Sequence, residues 1–140
     1  MENRQTVIAA GLGCRVGCCA ADVIAALRLA LARDGVDLAA VRALYSAEFK
    51  AAEQSLRHAA AELDKPLVLL AHATLAAQAP WALTASAAVA ARFDLPSVAE
   101  TAALAGAFEL GERRAPARLL SPRWVTGAAT CALACVELGS

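Results

Sequence analysis

The chain has 140 residues, enough for one domain with a substantial core and too few for two ordinary ones. Thirteen basic residues balance thirteen acidic ones, so no global charge steers it toward nucleic acid or an anionic membrane, and any ligand electrostatics must be local. Apolar residues make up 59% but aromatics only 4%, with alanine prominent, which suits closely packed helices over a small sheet better than an all-β sandwich.

The N-terminus carries Glu2 and Arg4 before a short apolar run, without the long apolar core of a signal peptide, so a cytoplasmic location is expected. Residues 6–11 predict a buried strand, followed by a glycine turn and a helix over about 19–33, where Val23, Leu27, Ala30 and Leu31 share a face. Gly35 stops that helix, and Asp37 caps a short turn before a second strand over 41–45 that ends near Ser46. A helix over about 51–63 follows, then Pro66 opens a third strand over 67–71. The most apolar stretch, 67–91, is interrupted by His72, Gln78, Pro80 and Thr84, so no membrane span is expected. Two short helices, about 86–93 and 97–108, flank Asp94-Leu95-Pro96. After a polar break at 111–116, residues 117–125 and 128–138, joined by Thr126-Gly127, predict an antiparallel hairpin. The alternation implies one three-layer α/β/α domain over 1–140, with a mostly parallel sheet of about five strands and the C-terminal hairpin at one side.

The stretch GLGCRVGCC, residues 11–19, admits three chemistries. A dinucleotide loop needs G-x-G-x-x-G, but the third glycine position is Val16 and no acidic residue ends the second strand; a nucleotide-dependent oxidoreductase is therefore a minor alternative. A thiolate metal site would need Cys131 and Cys135 beside Cys14, Cys18 and Cys19. In a strand Cys131 and Cys135 share a face about 13 Å apart, at a rise of about 3.3 Å per residue, too far for one ion. Neither a metal nor another cofactor is expected, and five cysteines are expected as free thiols, mostly small buried apolar groups. The third option is an anion loop in which glycine N–H groups and the Arg15 guanidinium meet a carboxylate or phosphate; its bland counterpart is an ordinary turn with Arg15 in solvent.

Gly11-Leu12-Gly13-Cys14-Arg15, then Lys50-Ala51-Ala52-Glu53, then Ser97-Val98-Ala99-Glu100-Thr101-Ala102-Ala103-Leu104 resemble, in order and approximate spacing, the CobE/CbiG C-terminal family of cobalamin biosynthesis. The resemblance runs from Val7 to about Val136, and the length is similar to the stand-alone CobE type. It implies a three-layer α/β domain that acts in making the corrin ring from a precorrin. Fused CbiG proteins open a ring lactone and release acetaldehyde; this chain has none of their preceding regions, so for it the resemblance implies an accessory or carrier role in binding a precorrin-type tetrapyrrole. Lactone hydrolysis is the alternative, and other cobalamin-pathway enzymes are candidate partners. Two positions depart from the family pattern: Arg123 follows Pro122 where lysine is commoner, and Val16 follows Arg15 where a basic residue is usual.

A precorrin is a broad macrocycle fringed with carboxylates, and parallel sheets bind ligands beyond the carboxyl ends of their strands. Arg15, after the first strand, and Lys50, after the second, are expected to converge there. The candidate contacts are Gly11, Gly13, Cys14, Arg15, Ser46, Lys50, Glu53, Thr84, Ser86, Glu100 and Arg123. Several have structural alternatives. Lys50 and Glu53 could form an ion pair three residues apart, Ser97 and Glu100 a capping box, and Thr84 or Ser86 a helix cap. His72 stands at the right strand end for a base, but no carboxylate is placed to orient it or His58; Trp81 and Trp124 read as core or interface.

Overall fold

The computed structural model describes residues 5–139, so Glu2 and Arg4, which bear on the leader, lie outside it. The central strand, β1 (Gln5–Cys14), is covered on both faces: Ile8, Ala10, Leu12 and Cys14 point into one apolar cluster, and Val7 and Ala9 into another. Burial on both faces requires apolar residues at both parities, which is why the run at 6–10 lacks polar alternation. β2 (Val41–Ala47) pairs parallel with β1, and β3 (Leu67–Leu70) parallel with β2. The crossovers are α1 (Ala20–Asp34) and α2 (Gln54–Leu63), which pack together on the first face. On the other side, β6 (Ala129–Leu138) runs antiparallel along the whole of β1 and carries β4 (Arg118–Leu119) and β5 (Trp124–Thr126) on its outer edge. The α/β class, the parallel strands and the C-terminal antiparallel strands are as the sequence predicts.

The second face is covered by α5 (Val98–Leu110), with α3 (His72–Ala76) and α4 (Ala87–Phe93) beside it. A helix apolar on all sides must be surrounded, and residues 98–107 of α5 are all buried. It lies so close to β1 that a Cβ at Gly11 would overlap the Ala99 carbonyl oxygen and the Ala103 amide. Gly11 therefore serves helix–sheet contact.

Several sequence expectations are corrected. Gly11 and Gly13 are not in a turn: β1 continues to Cys14, and both glycines sit in the ladder, Gly11 between Tyr45 and Ala132 and Gly13 opposite Thr130. That leaves them no free loop with which to cradle a pyrophosphate. The turn falls instead at residues 15–18, with Gly17 at φ 85°. Asp37 precedes a short 3-10 turn (Leu38–Ala40) without a side-chain cap, and α2 starts at Gln54 because Glu48–Lys50 forms another 3-10 turn. α3 was not foreseen. The first arm of the terminal hairpin is two strands, since four residues, 120–123, oppose only Leu133 and Ala132 between the paired positions 119 and 124. Pro122 has no N–H to give to a ladder, and Ser121 turns away to donate to Asp34 Oδ1 at 2.8 Å.

Gly11→Ala is expected to destabilise the protein by about 3 kcal/mol, the upper end of the overpacking range, measured by urea unfolding. Gly17→Ala, in open space but with a left-handed backbone, should cost about 1 kcal/mol. Equal costs at the two positions would mean that α5 moves aside freely.

Candidate functional site

The carboxyl ends of β1 and β2 open into a cavity of about 470 Å³, closed by α4, the start of α5 and the β5–β6 turn. Four of the segments around it contribute a cation. β1 ends in the turn at 15–18, which exposes Arg15 and Val16; the Arg15 amide donates to Ala128 O at 2.9 Å, tying the turn to the start of β6. The 3-10 turn after β2 folds Lys50 inward, where its Nζ donates to Cys14 O at 2.7 Å and lies 5.1 Å from the Phe93 ring centre. The last turn of α4 brings Arg92 and Phe93, the guanidinium 5.2 Å from the same ring, which also stacks on Phe49 at 4.4 Å. Arg123 comes from the bulged segment between β4 and β5.

Four cations, Arg15, Lys50, Arg92 and Arg123, thus line one cavity whose lining contains no aspartate or glutamate. Among the described residues, no hydrogen bond or ion pair occupies the guanidinium of Arg15, Arg92 or Arg123. Like charges around a half-enclosed space raise its potential and favour an anion with several negative groups. Burial holds the Lys50 ammonium below the ordinary lysine range; Glu53 opposes that shift and Arg92 adds to it. A ligand carboxylate would relieve the cost.

Of the sequence candidates, Gly13, Cys14, Arg15, Lys50, Ser86 and Arg123 line the cavity, and Gly11, Ser46, Glu53, Thr84 and Glu100 do not. Ser46 Oγ donates to Leu12 O at 2.8 Å, joining β2 to β1. Glu53 is the residue preceding α2, and no ion pair joins it to Lys50. Ser86 caps α4 by accepting from Val89 N at 3.3 Å. Only half of the capping box forms: Ser97 Oγ accepts from Glu100 N at 3.2 Å, but the Glu100 carboxylate turns elsewhere in the interior, and the Thr84 hydroxyl donates to it. Arg92 and Phe93 were missed. A basic residue in the last turn of a helix is ordinary dipole compensation, so the sequence carried no signal that set Arg92 apart.

His72 is exposed, with Nε2 2.6 Å from Phe93 O, and is not in the lining. Trp124 is half-buried against α1, donating to Ser121 Oγ at 3.1 Å, whereas Trp81 is exposed. The expectation of free thiols is corrected at Cys14 and Cys18, which form a disulfide. The 15–18 turn, closed by Cys18 N–H donating to Arg15 O, brings their Cα atoms to 6.1 Å, within disulfide range. Cys131 and Cys135 lie buried along one face of β6 with Leu133 between them, and burial pushes both thiols up. Among the described residues, no three His, Cys, Asp or Glu side chains gather as a metal site, and no helix is long and apolar enough to cross a membrane.

Residues 8–134 match the family described as cobalamin synthesis G C-terminus. Among solved structures, CobE, a protein from the cobalamin (vitamin B12) biosynthetic pathway, superposes with a TM-score of 0.88 at 38% identity over 96% of this chain and 93% of its own. The cobalamin biosynthesis protein ChiG from Agrobacterium tumefaciens gives 0.68 at 38% identity, covering 91% of this chain and 97% of its own. A cobalamin biosynthesis protein G homolog from Sulfolobus solfataricus shares the fold, with a TM-score of 0.61 at 15% identity over 92% of this chain and 36% of its own. No curated protein sequence matches the chain.

The buried ammonium makes a pH-dependent contribution whose sign is fixed. A base held below its ordinary pKa binds fewer protons in the folded state, so its contribution to stability is full above pH 10.5 and is lost as pH falls through the lowered value. Wild type is therefore expected to gain stability relative to Lys50→Met as pH rises from neutrality toward 10.5, measured by urea unfolding at several pH values. The comparison cancels Tyr45, whose burial-raised pKa acts in the opposite direction. A difference that stays constant with pH would mean that the ammonium is solvated.

Proposed function

This chain belongs to the CobE/CbiG C-terminal family of cobalamin biosynthesis, and we propose that it binds a precorrin-type tetrapyrrole acid as an accessory or carrier protein of corrin ring synthesis. The observation that carries the proposal is the cavity with four cations and no carboxylate in its lining, at the strand ends where parallel sheets receive ligands. A precorrin carries its acetate and propionate groups around a largely apolar ring. One edge of such a ring fits the chemistry of this cavity: separated cations for the carboxylates, and Phe93, Val98 and Val125 for the apolar surface between them. A neutral chain can thereby hold a polyanion, because the cations that matter are gathered in one place.

Arginine suits the exposed positions, since its planar fork can take a carboxylate through two parallel hydrogen bonds. Lys50 has a different part. Its ammonium already donates to Cys14 O, which fixes its location and leaves donors for a ligand. The geometry supports recognition of carboxylates around a ring and gives His72, outside the lining, no part in it.

The test is a titration of the protein with hydrogenobyrinic acid, a stable corrin-ring acid, followed by its absorbance bands. Arg15→Ala, Lys50→Met, Arg92→Ala and Arg123→Ala are each expected to weaken binding about 10-fold or more, the usual worth of a hydrogen bond to a charged group. Raising the salt should weaken the wild type most, since it has the most cations to screen. Absence of saturable binding by wild type, or binding indifferent to all four substitutions, would overturn the proposal.

A further inference from the structure

Glu100 lies outside the cavity lining, yet it holds two of the cavity's walls. Its side chain is fully buried at the start of α5. Oε1 accepts from the amides of Leu83 at 2.7 Å and Thr84 at 2.8 Å, and Oε2 accepts from the Thr84 hydroxyl at 2.6 Å and the Arg123 amide at 2.9 Å. Residues 83–86 lead into α4, which carries Arg92 and Phe93, while Arg123 itself is the cation of the opposite wall. Among the described residues, no backbone hydrogen bond joins the two segments directly. The carboxylate is their shared tie.

We infer that Glu100 is a positioning residue: its buried carboxylate fixes the wall bearing Arg92 relative to the wall bearing Arg123, and so sets the affinity of the cavity for a polycarboxylate without touching the ligand. The affinity part of this inference rests on the reading of the cavity given above. The chemistry requires two acceptor oxygens at this position. Four donors converge on two oxygens, and a carboxylate has acceptor capacity for all of them, whereas a glutamine of the same shape offers one oxygen and turns two N–H donors toward the remaining groups. With its oxygen toward the Leu83 and Thr84 amides it turns an N–H on the Arg123 amide; with its oxygen toward the Arg123 amide it keeps the Thr84 hydroxyl but turns its N–H groups on the amides of Leu83 and Thr84. This also accounts for why the capping box is left half-formed: the side chain that would return to the Ser97 amide is committed to the two walls.

The experiment compares wild type, Glu100→Gln and Thr84→Val by amide hydrogen exchange without ligand and by titration with hydrogenobyrinic acid. In Glu100→Gln, exchange should quicken in residues 83–93 or 122–126 while β1, β2 and β6 keep their protection. Binding should weaken about 10-fold or more, as for loss of a hydrogen bond to a charged group. Adding Arg123→Ala to Glu100→Gln should then cost less than Arg123→Ala costs in wild type, because the arginine is already displaced. Thr84→Val, which removes one of the four bonds, should loosen 83–93 alone and weaken binding less. Unchanged exchange in both walls, uniform loss of protection across the sheet, or additive effects of Glu100→Gln and Arg123→Ala would overturn the inference. If Glu100→Gln does not fold, the Thr84→Val result decides, with unchanged exchange in 83–93 counting against it. Failure of wild type to bind the corrin acid would overturn the polycarboxylate reading, and the tie between the walls would stand or fall on exchange alone.

Discussion

The close seat of α5 on the central strand is the constraint on which the other features depend. A helix buried over residues 98–107 can approach a sheet this closely only where small residues meet, and here Gly11 lies beneath Ala99 and Ala103. The approach brings the first turn of α5 to the carboxyl end of β1, so that Val98 reaches the cavity and Glu100 lies just behind it. The alanine-rich composition is the consequence in sequence: larger side chains on α5 would lift the helix and move everything its first turn holds. The opposite face of the sheet is filled differently, by leucines such as Leu12, Leu27, Leu44, Leu56 and Leu133, each buried to the extent that typically contributes about 1.5–3 kcal/mol. One face thus supplies much of the large apolar burial and the other sets the geometry of the site.

Electrostatics follow from the same layout. A chain with equal numbers of acidic and basic residues concentrates positive charge by bringing four cations from separate segments to one cavity, while the nearest buried carboxylate, Glu100, is occupied by protein donors. Lys50 shows the cost of such an arrangement. It is held by one carbonyl oxygen and the face of Phe93, and burial lowers its pKa. An anionic ligand would remove that penalty, which couples occupancy of the site to its stability.

Much of the fold was legible because it is written in local rules. Strand and helix alternation, Gly35 in its left-handed position after α1, and the Ser97 cap of α5 each follow from a few neighbouring residues. Arg15 and Lys50 line one cavity, a convergence that the strand-end rule anticipates from the order of elements alone. What was not legible depends on contacts distant in sequence. Glycine spacing looks the same whether it opens a loop or admits a helix, so Gly11 and Gly13 suggested an anion loop although they belong to β1. Arg92 is indistinguishable from an ordinary basic residue at a helix end, and the bulge that delivers Arg123 arises from a mismatch between two paired segments. The Cys14–Cys18 pairing likewise needs the turn at Gly17 to be known first.

On the proposed function, carboxylates of a corrin-type ring are received between Arg15, Lys50, Arg92 and Arg123. The most direct measurement is a two-dimensional NMR titration of isotope-labelled protein with hydrogenobyrinic acid, observing backbone amides together with arginine and lysine side-chain nitrogens. Saturable shifts are expected in those four side chains and in the amides of residues 13–16, 92–93 and 123–130, with the α1–α2 face unmoved. Shifts confined to another surface, or a saturable response that leaves all four cations unchanged, would place the ligand elsewhere and overturn this assignment.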